Sequence, residues 1–231
     1  MKILLLVLGS ICFGALALVV GFWYLLPIFI FILLNTGKPK YQKLPIYGER
    51  IPPDGMDIKD TIFHVIPDFS VTNQSGIVIT KNDLNDCVYI ANFFFASCQD
   101  ICPKMNAELE LIYNKLNSKK LEEKKYSTVK FISFTVDPVN DSVSVLADYA
   151  KKFNADSKIW HFCVTSQDSL LKIGSGFLLP VSKEDKTIDH SQQLILVDKN
   201  HHIRGVYDGL NKKETERLYD ELKVLLTEYD N

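Results

Sequence analysis

Cys98 and Cys102 stand in the segment Phe93-Phe94-Phe95-Ala96-Ser97-Cys98-Gln99-Asp100-Ile101-Cys102-Pro103. Thiolates do two kinds of chemistry. They bind soft metals, and they attack disulfides. The Cys-x-x-x-Cys spacing is one residue longer than Cys-x-x-Cys. It still allows a disulfide, and it also lets both sulfurs face one ion from different directions. A structural disulfide, or two core cysteines, is the plainer alternative. A two-sulfur site needs a third ligand to discriminate among metals, and the chain has five histidines. His64, His161, His201 and His202 read as surface or packed residues. His190 differs, because it sits in Thr187-Ile188-Asp189-His190-Ser191, just before the apolar run Gln193 to Val197. Two thiolates with one imidazole suit copper, whereas zinc would want a fourth ligand.

The surrounding pattern shows which elements must position these groups. Val88 to Ala96 is a nearly continuous apolar run, as expected for a strand buried on both faces. A helix is expected from about Pro103, with Met105, Leu109, Ile112 and Leu116 on one face. Proline is tolerated at the first helical position because it has no N–H to leave unpaired. Both thiols then lie on the loop entering a helix, where unpaired N–H groups and the helix dipole favour anionic sulfur. Phe69 to Ile79 reads as a hairpin turning at Asn73 to Gly76. Val129 to Val136 is another strand. Asp141 is the expected N-cap of a helix carrying Val143, Leu146, Ala147 and Ala150 on one face. Trp160 to Val164 is a short strand, Gln167 to Ile173 a short helix, and 174–190 a loop or irregular hairpin. Gln193 to Val197 and Ile203 to Tyr207 read as paired strands, followed by a helix with Leu218, Leu222, Leu225 and Tyr229 on one face. Two β-α units, a closing hairpin and a C-terminal helix predict an α/β fold, a thioredoxin-like sheet flanked by helices. In that layout the loop before the strand Gln193 to Val197 lies beside the helix carrying the thiols, which is what singles out His190.

Ile3 to Leu34 contains no charged side chain. As an ideal helix it is about 48 Å long, against a hydrocarbon core of about 30 Å. One tilted span, kinked or ended at Pro27, fits as an N-terminal transmembrane helix. A cleaved signal peptide is the rival, and Cys12 invites a lipoprotein reading that the bulky Ile11 opposes. Residues 35–60, rich in proline and glycine, read as a linker. The expected organisation is therefore an anchor over 1–34, a linker over 35–60 and one folded domain over 61–231. Lys38, Lys40 and Lys43 follow the span and, by the positive-inside rule, would leave the domain in the cytoplasm. The site chemistry favours the outer side. A net charge of -2 with no basic run argues against nucleic acid as a partner. Cys87 and Cys163 read as small buried hydrophobes.

On three motifs the chain resembles the Sco/SenC proteins, membrane-anchored copper proteins that help to assemble cytochrome c oxidase. The motif Cys-x-x-x-Cys-Pro stands as Cys98 to Pro103. Asp-Pro-x-x-Asp-[Ser/Thr] stands as Asp137-Pro138-Val139-Asn140-Asp141-Ser142. Asp-His-[Ser/Thr] stands as Asp189-His190-Ser191. The likeness covers about residues 65 to 225 and the anchor. It implies a thioredoxin-like domain that binds one copper ion, Cu(I) or Cu(II), through Cys98, Cys102 and His190. It implies a single-pass protein of the inner membrane whose domain faces the periplasm, and a client in the dinuclear copper centre of oxidase subunit II. The protein would deliver copper or reduce the client's cysteines. Asp137 is similar to a family acid near the metal loop that shapes the loop or its charge; a turn at the end of a strand is the local alternative. Gln99 departs from the family, where proline is frequent at that place.

Two further readings compete. A thiol-disulfide oxidoreductase would use one cysteine as nucleophile and the other as resolving thiol, with His190 dispensable. A peroxidase would need a single thiolate, and no separate residue signals it.

Overall fold

A computed structural model describes residues 43–51, 62–119, 124–182, 187–188 and 192–229, together with Leu26. The expected anchor apart from Leu26, part of the linker, and the motif Asp189-His190-Ser191 lie outside the described residues. No helix among the described residues is long and apolar enough to cross a membrane.

A short antiparallel pair, β1 (Arg50–Ile51) and β2 (Ile62–Phe63), precedes the main sheet. The sheet is built from β3 (Ser70–Asn73), β4 (Val78–Thr80), β5 (Val88–Phe94), β6 (Val129–Thr135) and β7 (Trp160–Val164). A two-residue hairpin, β8 (Val181–Ser182) and β9 (Thr187–Ile188), stands apart. β10 (Gln193–Val197) and β11 (Ile203–Asp208) complete the main sheet, whose order is β11-β10-β5-β6-β7-β3-β4. β5, β6 and β7 run parallel at the centre, and β10 and β3 join them antiparallel on either side. The helices are α1 (Ile101–Lys119), α2 (Val143–Lys151), α3 (Gln167–Gly176) and α4 (Lys212–Glu228). This is the mixed α/β sheet flanked by helices that the alternating pattern predicts.

Period-two geometry explains the apolar run of β5. Val88, Ile90 and Phe94 pack into a core with residues of α1, α2 and α4. Tyr89, Ala91 and Phe93 point the other way, into a second core with Leu170 and Ile173 of α3. Every residue of β5 is buried, so the strand has no polar face for water. Gly76 closes the β3–β4 turn at φ 74°, a conformation that costs glycine nothing.

Boundaries moved at three places. α1 begins at Ile101 rather than near Pro103. Pro103 still falls in the first turn, where N–H groups have no intrahelical partner. α3 runs on to Gly176. The N-cap of α2 is Ser142, whose hydroxyl accepts from the Val145 N–H at 3.4 Å, and not Asp141. Asp141 is 1% exposed and is used elsewhere.

Part of the segment read as linker is strapped to the sheet. Buried Arg204 donates to the carbonyls of Leu44 and Pro45 at 2.7 and 3.1 Å, and pairs with Asp198 and Glu228. The Leu44 N–H donates to Glu228 at 2.9 Å and the Tyr47 N–H to the Ile203 carbonyl at 2.9 Å. The compact unit accordingly runs from Lys43.

Candidate functional site

Ligands of open α/β sheets bind beyond the carboxyl ends of the parallel strands. Here the loop leaving β5 carries Cys98, with Cys102 in the first turn of α1 that follows, and the loop leaving β6 carries Asp137 to Ser142. β5 and β6 pair in register up to Phe94 and Thr135, and the Val136 N–H donates to the Phe94 carbonyl at 2.7 Å. The two loops therefore emerge side by side.

Cys98 sits on the turn before α1, its own N–H donating to the Phe95 carbonyl at 3.2 Å. Its sulfur accepts from the Cys102 N–H at 3.4 Å. Burial raises the thiol's pKa. Hydrogen bonds from the backbone N–H of Cys102 and Asp100, from the Cys102 side chain and from the Ile101 N–H outweigh that, and hold Cys98 below the ordinary thiol value. These are the unpaired donors of the helix N-terminus. Cys102 is 1% exposed, and burial pushes it up to about 12, with the neighbouring Cys98 adding to the rise against an N–H from Phe95. The pair is thus unequal: a partly exposed sulfur poised toward thiolate, and a buried one held as thiol. Cys87, Cys98, Cys102 and Cys163 are free.

Asp141 anchors the loop. Its Oδ2 accepts from the Ala96 N–H at 2.9 Å and from the Thr135 hydroxyl, tying the segment before Cys98 to the end of β6. The Asp137 N–H donates to the Thr135 hydroxyl at 3.0 Å, while its carboxylate accepts from Asn140 Nδ2 at 2.9 and 3.0 Å, inside its own turn. Sequence reasoning missed the work of Asp141. The motif showed the aspartate, but only the pairing of two strands shows that it reaches Ala96.

The other histidines are engaged away from the cysteines. His64 Nε2 lies 2.7 Å from the Gly176 carbonyl, and buried His161 faces Asn73. His201 contacts Asn85 and Tyr89, and His202 stands 3.5 Å from Asp198. Among the described residues no three His, Cys, Asp or Glu side chains gather into a metal-holding group. The two sulfurs, free and neighbouring at a helix start, suit a soft ion such as copper. His190, the third ligand expected from the sequence, lies outside the described residues.

The SCO1/SenC family model matches residues 59–227. The chain belongs to the SCO1/SenC family. A SCO1/SenC family lipoprotein from Bacillus anthracis strain Ames is 30% identical, with a TM-score of 0.59 over 70% of this chain and 94% of that one. BsSco, a member of the Sco family of cytochrome c oxidase assembly proteins in which a disulfide switch was identified, is 26% identical, with a TM-score of 0.60 over 71% and 94%. The copper-bound structure of Bradyrhizobium japonicum ScoI shares the fold at 19% identity, with a TM-score of 0.56 over 70% and 99%.

Proposed function

We propose that this SCO1/SenC protein binds one copper ion through Cys98, Cys102 and His190 and serves the assembly of a copper centre in cytochrome c oxidase. The observation that carries the reading is the free cysteine pair at the start of α1, with one sulfur held toward thiolate by helix N–H groups. Two sulfurs and an imidazole are a donor set for Cu(I) or Cu(II). Cys98 offers its sulfur at the surface, Cys102 closes the site from within, and Asp141 holds the loop that carries them. Asp137 acts through the same turn, keeping Thr135 and Asn140 in place behind the loop. Membership of a family that includes oxidase assembly proteins and a lipoprotein supports an oxidase client, with subunit II the copper-receiving partner. Residues 1–34 anchor the chain in the inner membrane as a single span, and the folded domain faces the outer side.

The experiment is anaerobic titration of the reduced full-length chain with Cu(I) and Cu(II), with His190→Ala in parallel. One copper per chain with sulfur-to-copper absorption, severely weakened in the variant, is the expected result. Absence of tight binding, or binding indifferent to His190, overturns the copper reading.

A second reading is thiol-disulfide exchange, and the inequality of the two sulfurs favours it. Cys98 is the attacking thiolate and Cys102 the resolving thiol. Reduction of a client disulfide that survives His190→Ala and stops in Cys98→Ser would support this activity.

A further inference from the structure

The turn between β10 and β11 carries a histidine in a conformation that favours glycine. His201 has φ 61°, and its N–H donates to the Asp198 carbonyl at 2.9 Å to close the turn. A side chain in this left-handed region costs energy that glycine would not. His201 is nevertheless buried, with both ring nitrogens engaged.

Nε2 lies 2.9 Å from Oδ1 of Asn85, which ends the helical turn Lys81–Leu84 ahead of β5. An amide oxygen can only accept, so Nε2 carries the ring hydrogen. Nδ1 is then the acceptor, and the Tyr89 hydroxyl of β5 stands 3.4 Å from it. The His201 carbonyl accepts the Ile66 N–H at 3.0 Å, on the segment leading into β3. One residue thus joins the β10–β11 turn to the segments entering β3 and β5, at the end of β5 away from the cysteines.

This pattern requires a neutral ring. A proton on Nδ1 removes the acceptor of the Tyr89 hydroxyl. Tyr89 is fully buried, burial keeps its hydroxyl protonated, and no other acceptor for it stands among the described hydrogen bonds. A stranded buried donor is costly. The proton also brings positive charge into a crowded place. Lys81 faces the ring from the helical turn and His202 from the ring's own turn, and both oppose it. Asp198 and Asp68 favour it, but their oxygens are in use. Asp198 accepts from the Asn200 and His202 N–H groups and pairs with Arg204, and exposed Asp68 pairs with Lys81. Burial is the largest effect, and His201 is held below the ordinary histidine value.

We propose that His201 is a pH-sensitive latch: as the neutral imidazole it clips the β10–β11 turn to the segments entering β3 and β5, and on protonation it releases them, so that this end of the domain opens on acidification. The latch is independent of copper binding and of thiol exchange. Its direction follows from linkage. A histidine that resists its proton in the folded state contributes stability that is complete above the ordinary histidine pKa of about 6.5 and is lost as the pH falls below it. One unit lower, a single such proton raises the opening equilibrium by at most about tenfold.

The test is hydrogen–deuterium exchange of the reduced full-length chain at pH 7.5 and pH 5.5, each rate divided by its intrinsic chemical rate. The readout is peptides covering residues 64–67 and 199–203. Opening of both segments rises about fivefold at the lower pH, within the one-proton ceiling. His201→Asn keeps a residue that tolerates the left-handed conformation and does not titrate, and its opening changes by less than about twofold. Buried His161, which burial pushes down to about 4, is present in both chains, so its contribution cancels. A native chain whose opening is the same at both pH values overturns the proposal. So does an equal rise in His201→Asn. If His201→Asn fails to fold, Tyr89→Phe takes its place. It removes the hydroxyl that protonation strands, and the rise with acid shrinks; a rise equal to that of the native chain overturns the proposal.

Discussion

Replacing Asp141 should loosen the cysteine loop and destabilise the domain by an amount the structure lets us work out. Its Oδ2 accepts two hydrogen bonds, from the Ala96 N–H and the Thr135 hydroxyl, at a site 1% exposed. Bonds to an ionised acceptor contribute about 1.5–3 kcal/mol each. Asp141→Ala also leaves the Thr135 hydroxyl buried without its acceptor. Ala96 is only half-buried, so water recovers part of the loss there. The expected cost is about 3–4 kcal/mol. Asp141→Asn keeps an oxygen for both donors and should cost about 1 kcal/mol. With a urea slope of about 2 kcal/mol per molar, the alanine variant of residues 43–231 unfolds at a midpoint about 1.5–2 M lower. The slope itself should not change. Ser142→Ala, which removes only the exposed cap of α2, should cost about 1 kcal/mol. If Asp141→Ala moved the midpoint less than Ser142→Ala did, the role assigned to Asp141 would be refuted and the motif aspartate would be a cap after all.

Three further outcomes are expected. Iodoacetamide at neutral pH should label Cys98 well before Cys102 in the reduced protein, because Cys98 is held below and Cys102 far above the usual thiol range; peptide mass spectrometry that found equal labelling would contradict the inequality. The pH sign follows from the same pair. Cys102, raised on folding, contributes stability that is complete below the ordinary thiol pKa and lost as pH climbs toward about 12, so Cys102→Ala should flatten the alkaline limb of a stability-against-pH curve. Arg204→Ala leaves Asp198 and Glu228 without their cation and frees the Leu44 and Pro45 carbonyls, at a cost of about 3–5 kcal/mol; a chain cut to residues 61–231 loses the same strap and should melt measurably below residues 43–231.

Much of the architecture was legible because one-dimensional periodicity reports burial. The run Val88 to Ala96 had to be a strand covered on both faces, and α1 and α4 showed their apolar stripes in the spacing of their leucines. The cysteine motif was legible because proline and the helix start confine where a Cys-x-x-x-Cys loop can lie. Asp141 was misread for a reason that is equally physical. Aspartate just before a helix is a common cap, and the local pattern contains nothing that sends its carboxylate to a backbone N–H in another loop. The strap over residues 44–47 was hidden in the same way. A proline-rich segment reads as a tether until Arg204, far along the chain, supplies donors for its carbonyls.

The amino-acid sequence alone determined the order of strands and helices in the main sheet, the thiol pair at a helix start, and the motifs shared with the Sco/SenC family. Each of these depends on neighbours a few residues away. Tertiary structure decided which sulfur leans toward thiolate and which aspartate holds the loop. Those properties depend on groups brought together by the parallel pairing of β5 with β6 and the packing of α1 against α2, and such pairings leave no trace in local spacing.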